Sequence, residues 1–260
     1  AYEVGAGDWS SDVCSSDLHE RQTRGKSRHM SDPRQEPDSG REGSGFRAPF
    51  RDGKDQCQCD ERRQVFQIVA QGPLHAAGDD VLFTQNARIQ AGQTVDIFGD
   101  FGNADAEGSV VDLRGVIAAL VATVTTDKDD DSVSLTNVQS GTPTTVKTNA
   151  GSDRIYVGTR AAMLPTVTNT GGTLNRISDL LTIEGGDGTD TLFLDDSGDT
   201  ANNQGILRQD RLVGLGMGSP ADDQSRINDA LGITYGELED LQLGLGSGSD
   251  RLVINSTHEG

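Results

Sequence analysis

The stretch Gly188-Thr189-Asp190-Thr191-Leu192-Phe193-Leu194 is one of four copies of a short turn-and-strand unit. Each copy has a glycine or aspartate two residues before a central aspartate, and apolar residues two and four positions after it. The other central aspartates are Asp131, Asp153 and Asp250. Glycine gives the backbone the freedom for a tight turn, and aspartate can hydrogen-bond nearby backbone amides as the turn closes. The alternating apolar residues then begin a strand with one buried face.

The four copies are unequally spaced, because 22, 37 and 60 residues separate successive central aspartates. Apolar alternation also precedes two of the turns, at Leu181-Thr182-Ile183 and at Leu241-Gln242-Leu243. Each complete unit is therefore predicted to be a strand, a glycine-rich turn and a second strand. The unequal spacing predicts a repeat protein with loops or extra rungs inserted between its turns.

Short strands are also predicted before the repeats, at Val65–Val69, Val81–Phe83, Ala87–Ile89 and Thr94–Phe98. Their spacing fits either a β-sandwich or a β-helix. The β-helix is favoured because apolar residues recur about every eleven positions, as successive faces of a coil would. These residues are Leu113, Val124, Leu135, Val146 and Val157. The polar segment Asp222–Leu231 is predicted to be a loop or a short helix outside the coil.

Composition agrees with this fold class. Hydrophobic residues make up 33% of the chain and aromatic residues only 4%, alongside 33 glycines. That content is low for a conventional globular core, but it suffices when neighbouring rungs stack and share one apolar column. Residues 64–260 are therefore predicted to be an all-β, parallel β-helix (β-solenoid) with irregular rungs.

The first 63 residues differ in character from this body. Gly7–Leu18 resembles, residue for residue, the translation of a common sequencing adapter, so we interpret residues 1–18 as an assembly artefact. Residues 19–63 are rich in Arg, Gly, Ser, Asp and Gln and are predicted to be a disordered, low-complexity segment. The body is then expected to be a fragment of a longer protein, whose exposed strand edges would favour self-association.

The charge of the chain limits its partners. The net charge is −19, and 11 of the 22 basic residues lie in the segment 19–63. Such an acidic body should repel nucleic acid and attract divalent cations. No apolar run is long enough to span a membrane, since the best one extends only from Val116 to Val124. Residues 64–260 contain no cysteine, which suits an exported bacterial protein but also occurs in cytosolic chains.

A family resemblance rests on several Gly- and Asp-rich stretches. They include Asp96–Asp105, Val111–Gly115, Leu194–Thr200, Leu212–Met217 and Gly232–Tyr235. These stretches resemble segments of very large exported bacterial repeat proteins, described as hemolysin-type calcium-binding or filamentous adhesin-like. The resemblance implies a right-handed parallel β-solenoid, an extracellular or cell-surface location, and a structural or adhesive role. Its implied partners are surface glycans or other cells, contacted through the parent protein.

Calcium is the cofactor that the sequence suggests. Gly185–Phe193 fits the repeat-in-toxin nonapeptide, in which Asp187 and Asp190 would supply hard oxygen ligands. In that family the ion lies between consecutive turns, whereas the next partial match, Leu245–Val253, is sixty residues away. A calcium site and a plain β-turn therefore both remain open here.

Two further acidic clusters are candidate calcium ligands. The first contains Asp127, Asp129 and Asp131, with Asp130 between them, and the second contains Asp195, Asp196 and Asp199. Adjacent carboxylates repel one another, so a cation would relieve the repulsion. The alternative is that each cluster is a solvated acidic turn.

No catalytic set is evident, so the chain is predicted not to be an enzyme. Its four histidines have no metal-ligand spacing, and no nucleophile motif is present. The alternative is a polysaccharide-binding or polysaccharide-cleaving β-helix. Asp153 with Arg154, and Asp250 with Arg251, would then project from equivalent strand positions. A long acidic groove would, however, repel a polyanionic substrate.

Overall fold

The computed structural model describes residues 2–5, 56–60, 65–100, 107–161, 170–218 and 230–257. These residues are all-β and contain no helix. Their strands, numbered in chain order, form three larger sheets and one two-stranded sheet. Among the described residues, nothing forms a helix long and apolar enough to cross a membrane.

The first sheet has ten strands. In spatial order they are β1 (Tyr2–Gly5), β4 (Leu74–Ala77), β7 (Thr94–Phe98), β10 (Val121–Thr125), β12 (Thr144–Lys147), β15 (Leu180–Glu184), β20 (Gly232–Gly236), β19 (Arg211–Gly214), β18 (Gln204–Arg208) and β22 (Arg251–Ile254). Neighbouring strands pair in parallel, except that β19 is antiparallel to both β18 and β20.

The second sheet has six strands, and every pairing in it is parallel. Its strands are β5 (Val81–Phe83), β8 (Val110–Leu113), β11 (Ser132–Leu135), β14 (Arg154–Val157), β17 (Thr191–Asp195) and β21 (Asp240–Gly244). The third sheet contains β2 (Gln56–Asp60), β3 (Val65–Ala70), β6 (Arg88–Ala91) and β9 (Val116–Ala118). The small sheet pairs β13 (Ala150–Gly151) with β16 (Asp187–Gly188).

The chain visits the sheets in turn, so the apolar residues predicted at eleven-residue intervals alternate between two of them. Leu113, Leu135 and Val157 are partners across the second sheet. Val124 and Val146 are partners across the first. We call the chain between a residue and its partner in the next strand of the same sheet a circuit. One circuit takes 22 residues here, the separation of the hydrogen-bonded Asp131 and Asp153.

Later circuits are longer, but the pairing does not shift. Ile155 pairs with Leu192, and the hydrogen-bonded Asp153 and Asp190 beside them are 37 residues apart. The next circuit takes 49 residues between Asp190 and Glu239. The unequal spacing of the first three sequence repeats, at Asp131, Asp153 and Asp190, therefore reflects extra chain between strands rather than a change of register.

One continuous apolar core runs along these strands. Alternate residues of each strand face it, as the two-residue period of a strand requires. In the second sheet the inward column is Val81, Val111, Val133, Ile155 and Leu192, and each is at most 1% exposed. On the other face of that sheet, the rings of Tyr156 and Phe193 stack with centroids 4.7 Å apart.

The predicted strands before the repeats are confirmed within one or two residues at their ends. Some strands were not predicted, among them β1, β2 and β4. β1 lies in the segment interpreted as an artefact and pairs with β4, and β2 lies in the segment predicted to be disordered and pairs with β3. The other residues of 1–63 lie outside the described residues, as does Asp222–Leu231 except for its last two positions.

Candidate functional site

Three of the four central aspartates form a stacked column. Asp131, Asp153 and Asp190 each stand immediately before a strand of the second sheet and are 3%, 0% and 0% exposed. The Oδ1 atom of Asp131 accepts the N–H of Ser109 at 2.6 Å. Oδ1 of Asp153 accepts the N–H of Asp131 at 2.7 Å, and Oδ1 of Asp190 accepts that of Asp153 at 2.9 Å. We call these three residues the aspartate ladder.

The ladder corrects the expected role of the aspartates. The sequence predicted hydrogen bonds to amides of the same turn, but each carboxylate bonds an amide one circuit upstream. The physical reason is that the parallel ladder of main-chain bonds stops at the strand end, and a buried N–H beyond it still needs an acceptor. The side chain of the next circuit supplies that acceptor.

Asp250 does not belong to this column. Its Oδ1 accepts the N–H of Asn203 at 2.9 Å, and it precedes β22 in the first sheet. The position below Asp190 is instead taken by Glu239, whose Oε2 accepts the N–H of Asp190 at 2.7 Å. The prediction of four equivalent copies is therefore right for three of them. Asp250 makes the same kind of hydrogen bond, from a carboxylate to a main-chain N–H, beside the first sheet.

Burial controls the electrostatics of the ladder. It raises the pKa of Asp153 to about 7, and the neighbouring carboxyls of Asp131 and Asp190 add to the increase. Burial likewise raises the pKa values of Asp131 and Asp190. The Oδ2 atoms of all three are buried, with no hydrogen-bond partner among the described residues. The ladder therefore holds protons at a pH where ordinary aspartates are ionised.

The carboxylates of the second acidic cluster also accept hydrogen bonds from main-chain N–H groups. Asp195 accepts the N–H of Gly172 at 2.6 Å, and Asp196 accepts that of Leu174 at 3.0 Å. Asp199 accepts the N–H of Ala201 at 2.8 Å and the side-chain amide of Asn175 at 2.9 Å. All three carboxylates are buried. The prediction of a solvated acidic turn is therefore wrong for this cluster.

The pKa values of two members of this cluster are shifted in opposite directions. Burial raises the pKa of Asp196 to about 7. Burial alone would also raise the pKa of Asp199, but hydrogen bonds from the Ala201 N–H and the Asn175 amide outweigh it. The pKa of Asp199 is therefore lowered. The two carboxyls also share the side-chain amide of Asn203, at 3.5 and 3.1 Å.

The remaining candidate ligands do not join the ladder. Asp187 is exposed, and its strand partner in the neighbouring turn is Ala150. Asp127 and Asp129 are half-buried in the turn before β11. Within the described ranges, no three His, Cys, Asp or Glu side chains are grouped so that they could hold a metal ion. Calcium takes six to eight oxygen ligands, whereas the ladder offers one unbonded oxygen per aspartate. Calcium binding thus stays a prediction.

The aspartate–arginine pairs of the alternative hypothesis are not presented together. Asp153 is fully buried, whereas the adjacent Arg154 is exposed. Neighbouring strand residues point to opposite faces, which accounts for this difference. Asp250 and Arg251 lie at the first sheet, and Asp153 and Arg154 at the second. The two pairs therefore do not line one surface.

A polar groove that the sequence analysis missed lies where strands of the second sheet end. It has a volume of about 320 Å³, and its lining contains no carboxylate side chain. Residues from successive circuits line it, among them Gln85, Arg114, Asn137, Gln139, Asn175 and Arg176. We call it the amide groove. A signal was available, since polar residues recur across a circuit of 22 residues, as at Arg114 and Thr136.

Hydrogen bonds and one ion pair hold several of the lining side chains in place. Asn137 Nδ2 donates to the carbonyl of Gly115 at 2.8 Å, and Gln139 Nε2 donates to Asn137 Oδ1 at 3.1 Å. Arg114 Nε lies 2.8 Å from Asp112 Oδ2. The Asp112 carboxyl is buried, and burial raises its pKa to about 6 although Arg114 opposes the shift. The lining is therefore largely preorganised.

Comparison with known proteins adds no relative, since no protein-family model, curated protein or solved structure matches the chain significantly.

Proposed function

We propose that residues 64–260 form a β-solenoid that serves as a structural or adhesive segment of a secreted or cell-surface bacterial protein. The proposed solenoid is right-handed, because parallel crossover connections have that hand in about 98% of cases. Its supports are the parallel sheets, the constant register between circuits and the continuous apolar core.

One observation carries the proposal, namely the inward column of the second sheet. Val81, Val111, Val133, Ile155 and Leu192 are register partners, one below the next, on successive strands. In a solenoid each circuit buries its apolar face against its neighbours, so length grows with circuit number and no separate core is needed. Such a stack suits a spacer or a display surface.

Calcium is part of the proposal as a stabiliser of the acidic turns. The exposed Asp187 and the half-buried Asp127 and Asp129 lie on the turns beside the ladder. A divalent ion there would reduce repulsion among carboxylates. Because no three acidic side chains of the described residues are grouped so that they could hold a metal ion, the ion would associate with these turns through their charge alone.

A distance measurement tests the proposed rod. Leu82 and Gln242 face the same side of the second sheet, five strand steps apart. The substitutions Leu82→Cys and Gln242→Cys would each carry a spin label, and the three native cysteines would be replaced by serine. At about 4.8 Å per step, the two labels should lie about 24 Å apart before linker length is added. A broad or much longer distance distribution would contradict the stack.

The polysaccharide alternative is retained in its binding form only. Cleavage would need carboxylates that converge in a cleft, and the lining of the amide groove has none. Binding is favoured by the fixed amides and arginines of that groove.

A further inference from the structure

We propose that the amide groove binds an acidic oligosaccharide, through contacts of its amides with sugar hydroxyls and of Arg176 with a carboxylate or sulfate. The inference rests on the proposed adhesive function and gives that function a ligand class.

The lining is chemically complementary to a ligand with many hydroxyl groups. Gln85, Asn137, Gln139 and Asn175 carry side-chain amides, a group with both donors and an acceptor. Asn137 and Asn175 already donate within the protein, so Gln85 and the Oε1 atom of Gln139 are the amide groups left for a ligand. Threonine and serine hydroxyls complete the lining, and Val116 is its single aliphatic residue. Sugar hydroxyls likewise donate and accept. A peptide ligand would instead need apolar or aromatic pockets for its anchors.

The charge of the groove favours an anionic sugar. Arg114 is already neutralised by Asp112 at 2.8 Å. Arg176 is exposed, and its side chain makes no hydrogen bond or ion pair with any described residue. A guanidinium recognises carboxylate or sulfate through two parallel hydrogen bonds. Arg176 is therefore an uncompensated cation on a chain whose net charge is −19.

Nucleic acid fits this groove poorly. Binding of single strands relies on aromatic side chains that stack on bases and on a cationic track along the backbone. The lining has no aromatic residue, and Arg176 is its only cation without an anionic partner among the described residues, which is too few for a phosphate track.

The extent of the groove fits a short extended chain. Its lining comes from four successive circuits, at Gln85, Arg114, Asn137 and Arg176. Three steps of about 4.8 Å give a length of about 14 Å across the strands. That is longer than one sugar ring, so neighbouring rings could contact amides from neighbouring circuits.

The test is calorimetric titration of the full chain with oligogalacturonate, with neutral dextran oligomers as the comparison probe. Arg176→Gln removes the free cation from the groove. Arg154→Gln is the matched control, because Arg154 is also exposed and lies on β14 outside the groove. Circular dichroism of each variant would confirm that the fold is retained.

We expect the chain to bind oligogalacturonate. Arg176→Gln should weaken the affinity at least tenfold, because it removes a charge-assisted hydrogen bond to the sugar. Arg154→Gln should leave the affinity within about twofold of wild type, because it removes no such bond. Absence of binding, equal binding of dextran, or equal loss in both variants would each overturn the inference. The spin-label distance tests the rod separately, so an intact rod without sugar binding would refute this ligand and leave the scaffold role standing.

Discussion

The main-chain N–H of Asp131 donates to the Oδ1 atom of Asp153 across 2.7 Å, although 22 residues separate them. The same relation holds between Asp153 and Asp190 at 2.9 Å, across 37 residues. A side chain therefore joins each circuit to the next at the point where the main-chain ladder ends. Because burial raises the pKa values of these carboxyls, the stability of the protein should depend on pH.

Stability should fall as the pH rises through neutrality. The pKa of Asp153 is raised to about 7 from 3.8. A raised folded-state pKa adds stability below the unfolded pKa, and that stability is lost as the pH rises through the folded pKa. The melting temperature should therefore be higher at pH 5 than at pH 8. Asp153→Asn keeps the acceptor but cannot ionise, so it should be more stable than wild type at pH 8, by on the order of 2 kcal/mol. Equal wild-type melting at both pH values would contradict this.

Removing the acceptor should destabilise the protein. Asp153→Ala leaves the N–H of Asp131 buried without a partner, at a cost of about 1–3 kcal/mol in the free energy of unfolding. Asp187→Ala is the control, because Asp187 is exposed. Urea unfolding at pH 5 would measure both. Similar losses in the two variants would argue against a specific role for the ladder.

Calcium should raise the unfolding midpoint if the acidic turns are ligands. A ligand at one hundred times its dissociation constant stabilises the folded state by about 2.7 kcal/mol. Thermal unfolding with millimolar calcium and then with a chelator would measure the difference. Asp129→Asn should reduce it, whereas Asp240→Asn, at an exposed strand residue outside the predicted ligands, should not. An unfolding midpoint that does not change with calcium would show that the turns do not bind the ion.

Gly188 should tolerate no side chain. Its φ is 144°, and a Cβ there would lie 1.6 Å from the carbonyl oxygen of Gly151 in the adjacent turn. Gly188→Ala should therefore cost about 2 kcal/mol or more through strain and clash. Gly72→Ala is the control, since a Cβ at Gly72 meets no atom within 4 Å. Chemical denaturation would compare them, and a neutral Gly188→Ala would refute the close packing of the turns.

The strands at one end of the sheets should promote self-association. β22 is the outermost strand of the first sheet, and Ile254 on it is 60% exposed. Unpaired edges with exposed apolar residues favour edge-to-edge pairing, which a lysine suppresses. Ile254→Lys should therefore lower the mass measured by light scattering. Leu120→Lys, at a residue 69% exposed outside any strand, should leave it unchanged. A monomeric wild type would contradict the prediction.

The strands were predictable because their signal is local. Thr94–Phe98 alternates apolar and polar residues, and the structure has a strand with those bounds. The partner of Asp153 was not predictable in the same way, because it depends on which turn lies one circuit away. The amide groove was missed for a related reason, since Arg114 and Arg176 become neighbours only when three circuits are stacked.

The pairing register of the second sheet is the same whether the circuit between two strands is short or long. Leu135 and Val157 are partners across a short circuit, while Val157 and Leu194 are partners across a much longer one. The position of a strand along the sheet thus depends on how many strands precede it and not on how many residues connect them. Leu174 and Ile177 are buried and Arg176 lines the amide groove, so a gene encoding such a chain could gain or lose codons only outside them, between Ala161 and Thr170, without changing the strand pairing on either side.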